Sequence, residues 1–209
     1  RYKSFINAIE RNKANRLDNV INEVNFIIER KSDTSILVDL LQKGKLPLRV
    51  THNDTKISNI LMDAKTKEGI CVIDLDTIMP GLSLYDFGDA IRSGATHVSE
   101  DEKDLNKVFI DLEFFEAFTK GFLEGTANSL TEKEIELLPM AVKIITLEQG
   151  IRFLTDYLNG DVYYKTNYND QNLDRTRTQL KLVKDIEEKL NEMKNIVNKC
   201  LSNNIVEVW

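Results

Sequence analysis

The chain has 209 residues, of which 42% are hydrophobic, so it is long enough for one domain or one large lobe with a sizeable core. This composition argues against global disorder. The net charge of −6 argues against nonspecific binding to nucleic acid or to an anionic membrane, so neither is expected as a partner. No apolar run is long enough to span a bilayer, and no signal peptide is visible.

The two cysteines, Cys71 and Cys200, do not indicate a disulfide framework, and a reducing cytoplasm is the expected location. Cys71 lies in an apolar, strand-like run and is expected to be a small core residue. The chain begins at Arg1 without a methionine and enters a charged helical pattern at once. We therefore expect it to be the C-terminal part of a longer protein.

Helical periodicity dominates the first part of the chain. Apolar residues at helical spacing predict one helix over about 3–31, with charges on its other face. The polar stretch Ser32-Asp33-Thr34 breaks this pattern and is expected to cap a second helix over about 34–43. Gly44 is expected to end that second helix.

The pattern then changes to short strands. Residues 48–51 are a predicted strand, and residues 59–62 and 70–73 are predicted to form a β-hairpin with a charged loop. The pair Pro80-Gly81 predicts a turn. Polar residues crowd this β-element, and polar groups on loops beside a rigid scaffold usually mark a site.

The rest of the chain is predicted to be helical. The predicted helices cover about 84–93, 102–125, 131–158 and 171–199, and Pro139 is expected to kink or divide the third of them. The apolar stripe of the last helix indicates core packing rather than a partner-binding face. The sequence thus predicts an α+β, mainly helical fold with a small central β-hairpin, and it leaves the apolar tail 204–209 without an assigned role.

A polar loop after the first predicted strand carries the first candidate for chemistry. Asp54, flanked by His52 and Asn53, is placed to hydrogen-bond a substrate hydroxyl and accept its proton. Asn59 follows, and its carbonyl oxygen is a ligand that Mg²⁺ accepts. The alternatives are an aspartate that caps a turn and an asparagine that forms one. The spacing favours the catalytic interpretation because it lets both side chains face one pocket.

A second set of acids follows the apolar run 70–73. Asp74 ends that run, and a carboxylate at the end of a buried strand is costly unless it is paired or metal-bound. We therefore predict Asp74 as the principal magnesium ligand. Asp76, on the same face of a continued strand, is predicted as a second metal ligand or a substrate contact. The alternative is a carboxylate that is solvated or paired with Arg92 or Lys56.

An Asp-Phe-Gly tripeptide occurs at residues 86–88. Because Asp86 lies at a predicted helix start and Asp74 is already the strand-end acid, Asp86 is expected to support the catalytic loop. It would do so through hydrogen bonds to His52 or to nearby backbone amides. His52 is likewise expected to organise the loop. His97 is the only other histidine, so a zinc site is not indicated.

No glycine-rich phosphate-binding loop of either common type is present, neither G-x-x-x-x-G-K-[ST] nor G-x-G-x-x-G. Two explanations remain open on this observation alone. Either the protein is not a nucleotide enzyme, or the element that covers the phosphates belongs to an N-terminal part that precedes this sequence.

Several motifs resemble one known superfamily. The pattern His52-Asn53-Asp54-x4-Asn59 with Ile73-Asp74 is similar to the signature of the aminoglycoside phosphotransferase and choline kinase-like superfamily. Further segments, at 51–56, 72–77, 79–81, 85–90, 138–139, 152–158, 160–163 and 172–175, resemble its N-acetylhexosamine 1-kinase branch. The resemblance implies the C-terminal lobe of a protein kinase-like fold, without the N-terminal lobe. We expect three regions: a helical lead-in at 1–47, catalytic and metal-binding loops at 48–94, and a helical substrate-binding subdomain at 95–209.

The same resemblance implies an activity. It implies ATP- and Mg²⁺-dependent phosphorylation of the anomeric 1-hydroxyl of N-acetylgalactosamine or N-acetylglucosamine, with Asp54 as the catalytic base and Asn59 and Asp74 on magnesium. Arg152 and Tyr163 match positions that contact the sugar in this branch. For Arg152 the alternative is a surface ion pair with the acid four residues later, and for Tyr163 it is plain packing.

The expected partners are a nucleotide, a small sugar and the N-terminal lobe of the same protein, and the isolated chain is expected to be inactive without that lobe. One alternative keeps the chemistry and changes the acceptor to choline, homoserine, methylthioribose or an aminoglycoside. Another is a non-catalytic helical interaction domain. It ranks last because it leaves the set Asp54, Asn59 and Asp74 unexplained.

Overall fold

The structure is a computed structural model that describes residues 1–127 and 129–206, with side chains described as far as residue 202. Within these residues the chain forms seven α-helices and four short strands. The helices are α1 (Tyr2–Arg11), α2 (Ile21–Glu29), α3 (Ile36–Gln42), α4 (Ser83–Gly94), α5 (Leu112–Gly125), α6 (Glu132–Asn159) and α7 (Gln171–Val206). The strands are β1 (Arg49–Thr51), β2 (Ile60–Met62), β3 (Gly69–Val72) and β4 (Met79–Gly81). The prediction of a mainly helical α+β fold is confirmed.

The N-terminal region is two helices rather than the single one predicted over 3–31. The chain leaves the helix at Asn12, which has a left-handed φ of 38°, a conformation that asparagine tolerates better than most residues. The Asn12 side-chain oxygen then accepts hydrogen bonds from the backbone amides of Arg16 and Leu17, at 3.0 and 3.1 Å. These bonds satisfy both amides and change the direction of the chain before α2 begins.

The second predicted helix also starts later than expected. Residues Lys31–Ser35 form a short 3₁₀ helix, and α3 begins only at Ile36. The predicted cap at residues 32–34 is wrong, because the Thr34 hydroxyl donates back to the carbonyl of Lys31. Gly44 follows α3 with a φ of 65°, so the prediction that it ends this segment is confirmed.

The β-structure consists of two separate antiparallel ribbons. The predicted hairpin is confirmed as β2 and β3, with Ile60 opposite Val72 and an irregularity after Leu61. The predicted turn at Pro80-Gly81 is wrong, because these residues lie in β4, which pairs with β1. A Cβ atom added at Gly81 would lie 2.3 Å from the Thr51 hydroxyl oxygen, so the ribbon requires glycine there unless that side chain moves.

Strand β3 is not buried, contrary to the sequence analysis. Ile70 and Val72 are 65% and 52% exposed, and Cys71 is exposed as well, so the prediction of Cys71 as a core residue is wrong. The apolar run was interpreted as a buried strand, but the ribbon it forms lies outside both hydrophobic cores of the described residues. Cys200, by contrast, is buried on α7.

The helical body is built around α6 and α7. Helix α6 packs against α7, α4 and α1 and contributes to both hydrophobic cores. Its start is fixed by a capping box between Thr131 and Glu134, and it continues through Pro139, which therefore does not divide it. Helix α4 approaches α6 closely at Gly88, where an added Cβ would lie 2.8 Å from the carbonyl oxygen of Ala141.

Two further helix boundaries differ from the predictions. The helix predicted over 102–125 begins only at Leu112, because the Asp111 side chain caps it by accepting the amides of Glu113 and Phe114. Helix α7 runs to Val206, beyond the predicted end at 199. Most of its apolar stripe is buried, as predicted for core packing, at Leu180, Val183, Ile186, Met193 and Val197, whereas Leu190 of the same stripe is half-buried. Residues 207–209 of the apolar tail lie outside the described part of the chain.

Candidate active site

Residues 51–59, which we call the catalytic loop because they include the predicted base Asp54, lead from β1 to β2 and are held in place by the first turn of α4. The Asp86 carboxylate accepts the backbone amides of His52 and Asn53, at 2.8 and 2.7 Å. The Thr55 hydroxyl donates to the Asp86 carbonyl at 2.6 Å. Burial raises the pKa of Asp86 above its ordinary value, and the two amide bonds oppose that rise. Asp86 thus ties the loop to the helical body.

His52 links the catalytic loop to the segment that carries Asp74. Its Nε2 lies 3.0 Å from the Ile73 carbonyl oxygen, and its Nδ1 lies 3.3 Å from the Asp54 amide nitrogen. The tautomer with the proton on Nε2 satisfies both contacts. The Thr77 hydroxyl donates to the His52 carbonyl at 2.6 Å, which adds a second connection to the same segment.

Two side chains donate hydrogen bonds to Asp54. Lys56 Nζ lies 2.7 Å from Asp54 Oδ2, and Asn59 Nδ2 donates to the same oxygen at 3.0 Å and to the Asp54 carbonyl at 2.9 Å. Burial alone would raise the pKa of Asp54, but these bonds and the Lys56 charge outweigh it, so the pKa lies below its ordinary value. Asp54 is therefore an ionised carboxylate at neutral pH.

Lys56 is a site residue that the sequence analysis considered only as a partner for Asp74. The hydrogen bond to Asp54 raises the pKa of Lys56, and the charges of Asp54, Asp74 and Asp89 raise it further. Of these three carboxylates, Asp54 is the one that contacts the ammonium group. The signal in the sequence was a lysine two residues after the candidate base.

Asp74 and Asp76 lie on an exposed turn, not on a continued strand. Asp74 has a left-handed φ of 64°, and Asp76 belongs to the short 3₁₀ helix Leu75–Thr77. The argument that both acids share one strand face is therefore wrong. The Ile73 amide donates to the Asn59 carbonyl at 2.9 Å, which places Asp74 directly after the residue bonded to Asn59.

Neither of the proposed cation partners of Asp74 bonds to it. Arg92 donates to Asp89 and Glu100, and Lys56 donates to Asp54. Among the side chains described, in residues 1–127 and 129–202, no three from His, Cys, Asp or Glu are close enough to hold a metal ion by themselves. An amide oxygen from Asn59 and a carboxylate from Asp74 still suit Mg²⁺, a hard cation that takes one or two protein oxygens and completes its shell with phosphates and water.

A cleft of about 660 Å³ opens in front of the catalytic loop. The loop contributes Asp54 and Lys56 to its wall, and α6 contributes Gln149 and Arg152 from the opposite side. Tyr164 lies in the same wall, and its hydroxyl is 3.4 Å from the Gln149 amide nitrogen. The cleft therefore brings the candidate base and the candidate sugar-contacting arginine to one space.

Arg152 does not form the ion pair with Asp156 that was its alternative interpretation. It donates to the Gln149 side-chain oxygen at 3.0 Å, and its guanidinium carbon lies 5.5 Å from the centre of the Tyr164 ring. Asp156 is buried and accepts the backbone amides of Val162, Tyr163 and Tyr164. Asp156 thus fixes the loop that follows α6 and leaves Arg152 facing the cleft.

The structure places Tyr164, rather than Tyr163, in the cleft with Asp54. Tyr163 is 73% exposed and lines a neighbouring cavity of about 230 Å³, which shares Arg152 and Tyr164 with the cleft. Burial raises the pKa of Tyr164 above its ordinary value, as expected for a ring packed against Phe153. Sequence position alone could not distinguish two adjacent tyrosines.

The cleft carboxylates are matched by cations of the protein itself. Asp54 bonds to Lys56, Asp89 to Arg92, and Glu148 to Arg1. Arg152, in contrast, donates to an uncharged partner. Each of the three carboxylates in the described wall of the cleft thus has a cation of the protein as a partner.

The loop thus brings an aspartate, held by an amide and a lysine, to the wall of a cleft. Residues 9–118, just over half of the chain, match the model of the phosphotransferase enzyme family. The chain belongs to this family. The matched range contains the whole catalytic loop and Asp74, and it ends before Arg152. In the described residues, no helix has the length and apolar character needed to cross a membrane.

Proposed function

We propose that the protein is an ATP- and Mg²⁺-dependent kinase that phosphorylates the anomeric 1-hydroxyl of N-acetylgalactosamine or N-acetylglucosamine. The observation that carries this proposal is the placement of Asp54, which is ionised, bonded to Lys56 and Asn59, and directed to the same cleft as Arg152. Family membership supports a phosphotransferase acting on a small molecule.

Asp54 is proposed as the catalytic base. Its lowered pKa keeps it ionised, so it can accept a hydrogen bond from the acceptor hydroxyl and orient that oxygen toward the phosphorus atom. Proton transfer to Asp54 then completes late, because phosphoryl transfer passes through a loose transition state. Most of the rate enhancement comes from position and charge rather than from the strength of the base.

Lys56 is proposed to stabilise the transferred phosphoryl group. Its ammonium group lies 2.7 Å from the Asp54 oxygen, so a hydroxyl held by Asp54 is also close to a fixed positive charge. A cation in this place lowers the energy of the negative charge that the phosphoryl oxygens carry in the transition state. The raised pKa of Lys56 keeps it protonated.

Asn59 and Asp74 are proposed as the magnesium ligands, with Asp76 as a further ligand or a substrate contact. The Asn59 amide nitrogen is directed to Asp54, which leaves its oxygen as the atom available for a cation. Magnesium bound there would neutralise part of the phosphate charge. His52 and Asp86 are proposed to hold Asp54 in position through their hydrogen bonds.

The charges of the cleft favour a neutral acceptor. Choline and aminoglycosides are cations, which need carboxylates or aromatic cages for recognition. The cleft carboxylates Asp54, Asp89 and Glu148 already have protein partners. Arg152, with Gln149 and Tyr164 beside it, instead offers donors to sugar oxygens. We propose Arg152 and, from the neighbouring cavity, Tyr163 as sugar contacts.

The nucleotide is proposed to lie under an N-terminal lobe that covers the β-ribbons. Many large apolar side chains of this region are exposed, including Val50 at 83%, Ile70 at 65% and Leu61 at 48%. Exposed apolar surface of this extent usually marks a contact with another element. The isolated chain would bind nucleotide poorly and lack turnover.

The test uses the complete protein with ATP, Mg²⁺ and each N-acetylhexosamine. Asp54→Ala is expected to lower kcat by about 10³-fold or more while the sugar still binds, because the base acts on the reacting hydroxyl rather than on the sugar ring. The matched control is Asp18→Ala, a change on the short 3₁₀ helix Leu17–Val20 away from the cleft, which should leave kcat unchanged. Full turnover by Asp54→Ala would remove Asp54 from the mechanism.

A further inference from the structure

Asp89 is a carboxylate of the cleft wall that lies near the candidate catalytic residues. It belongs to α4, one helical turn after Asp86, which holds the catalytic loop. It lines the cleft together with Asp54 and Lys56. Its negative charge is one of those that raise the pKa of Lys56, in agreement with a position close to the ammonium group.

Arg92 binds one of the two carboxylate oxygens of Asp89. The Arg92 Nε and Nη2 atoms both donate to Asp89 Oδ1, at 3.0 and 2.8 Å. The Nη1 atom donates to Glu100 at 2.9 Å, and the Arg92 side chain is only 11% exposed, so its guanidinium group is held on two sides. Two donors on Oδ1 restrict rotation of the carboxylate, and Oδ2 therefore keeps a defined direction.

The Oδ2 atom of Asp89 is left for a ligand of the cleft. Among the described residues, both hydrogen bonds to the Asp89 side chain go to Oδ1. Oδ2 is not fully buried, and the side chain that carries it is 18% exposed in the cleft wall. An ionised carboxylate oxygen only accepts hydrogen bonds, so its partner must be a donor.

The charges around Asp89 favour a neutral donor over a cation. Arg92 pairs with both Asp89 and Glu100, and Arg175 lies 4.0 Å from Glu100. Two carboxylates are thus matched by two guanidinium groups. A hydroxyl group can donate to Oδ2 without disturbing this balance, and its hydrogen bond to a carboxylate is stronger than one between two neutral groups.

We propose that Asp89 is a further acceptor-binding residue, whose Oδ2 atom accepts a hydrogen bond from a hydroxyl of the sugar other than the one that reacts. This inference rests on the proposed sugar kinase function. The cleft of about 660 Å³ has room for a hexose that contacts both Asp54 and Asp89. Asp89 then selects acceptors that carry this second hydroxyl.

Asp89→Asn tests the role of Oδ2 with little change in shape. Arg92 needs an oxygen at the Oδ1 position, so the amide nitrogen of the asparagine takes the Oδ2 position and presents donors there. In the complete protein we expect the KM for N-acetylglucosamine to rise about 10-fold or more, because a hydrogen bond to a charged group is lost. The kcat should change little, because this bond is made in the ground state and in the transition state alike.

A panel of fluorinated sugars identifies the hydroxyl. In each analogue of N-acetylglucosamine, one hydroxyl other than the anomeric one is replaced by fluorine, which cannot donate a hydrogen bond. The wild type should discriminate against one analogue by about 10-fold or more in kcat/KM, and Asp89→Asn should reduce that ratio to about threefold or less. If the wild type discriminates against none of them, or the variant keeps every ratio, no hydroxyl donates to Asp89 and the inference is wrong.

Asp33→Asn is the matched control. The Asp33 side chain is 18% exposed, as is that of Asp89, and it pairs with Lys143, which is 11% exposed. Asp33 does not line the cleft, so losing this pair should leave KM and the fluorine ratios unchanged. A lower kcat of Asp89→Asn with an unchanged KM would mean that Asp89 acts only through Lys56, which would also contradict the inference.

A binding measurement separates this inference from the kinase proposal. Calorimetric titration with N-acetylglucosamine, without ATP and Mg²⁺, should show a Kd about 10-fold or more higher for Asp89→Asn than for the wild type. If the protein binds this sugar but does not phosphorylate it, the kinase proposal fails, and the two Kd values decide on Asp89 by themselves. Equal Kd values, or no binding to the wild type, would overturn the role of Asp89.

Discussion

The catalytic loop and the β2–β3 hairpin loop use the same local chemistry with different results. In each, one aspartate accepts two backbone amides at 2.7 to 2.8 Å. In the hairpin, Asp63 binds the amides of Lys65 and Thr66, its own neighbours in the chain. In the catalytic loop, the acceptor is Asp86, which belongs to α4. Local bonds shape a loop, whereas distant ones also fix its position relative to the body.

The largest effect that tests this comparison is expected from Asp86→Ala. Without Asp86, two loop amides lose a charged acceptor, and Asp54 is free to move by an ångström or more. We expect kcat to fall on the order of 100-fold, since small misplacements of a reacting group are costly. The free energy of unfolding should fall by about 2 kcal/mol. Steady-state kinetics and urea unfolding measure the two effects.

Asp63→Ala is the matched control for Asp86→Ala. It also removes the acceptor of two backbone amides, but in an exposed loop whose amides can turn to water. It should leave kcat unchanged. If Asp63→Ala lowers kcat as much as Asp86→Ala does, the distinction between the two loops is wrong, and the hairpin takes part in catalysis directly.

Helix α4, which carries Asp86, packs closely against α6, and an added methyl group at Gly88 tests this contact. In Gly88→Ala, the new methyl group would lie 2.8 Å from the Ala141 carbonyl oxygen, so the helices must separate. We expect a loss of about 1–3 kcal/mol in the free energy of unfolding, together with a lower kcat because α4 shifts. Gly121→Ala on α5 is the control. Nothing lies within 4 Å of the added atom, so it should stabilise the helix by about 0.5–1 kcal/mol.

A smaller effect, on how the free energy of unfolding depends on pH, is expected from the contact between β1 and α6. The buried Glu134 bonds to Arg49 at 2.6 Å and to Ser83 at 2.8 Å. Burial alone would raise the pKa of Glu134, but these bonds and those from Thr131 lower it to about 2. Since the folded pKa is below the unfolded value of 4.5, the stabilisation is complete above pH 4.5. It is lost as pH falls from 4.5 toward 2.

The variant Glu134→Gln isolates that contribution. We expect the wild type to lose about 2 kcal/mol of its free energy of unfolding between pH 6 and pH 3 through this group, and the variant to lack that share of the decrease. Urea unfolding at both pH values measures it. Glu136→Gln, an exposed change on the same helix, should keep the wild-type pH dependence. Equal pH dependence in all three proteins would contradict the assignment.

The sequence predicted the parts of the molecule that local patterns determine. The long helices, the hairpin and the Gly44 stop follow from periodicity and from residues with strong backbone preferences. The break at Asn12 was missed because its cause is a side chain that replaces helical bonds. The late start of α5 was missed because a single cap at Asp111 overrides a helical pattern.

In the candidate site, too, local sequence patterns predict some residues, whereas others depend on contacts between distant parts of the chain. The candidates Asp54, Asn59 and Asp86 were predicted because they lie in short motifs. Lys56 and Tyr164 were not selected, because their roles depend on which way a side chain points across the cleft. The burial of β3 was predicted wrongly because an apolar run does not tell what covers it. In the described residues, neither hydrophobic core includes this strand.

The last prediction tests whether another element covers β3 and concerns the thiol of Cys71. Cys71 is exposed on β3, whereas Cys200 is buried and its burial raises the pKa of its thiol. If an N-terminal lobe covers the ribbons in the complete protein, Cys71 should react with a thiol reagent several-fold more slowly than an exposed thiol, and ATP should slow it further. Mass spectrometry of the labelled peptides identifies the site. Reaction of Cys71 at the rate of a free peptide thiol, with or without ATP, would show that this face stays open, and the nucleotide would then need another place to bind.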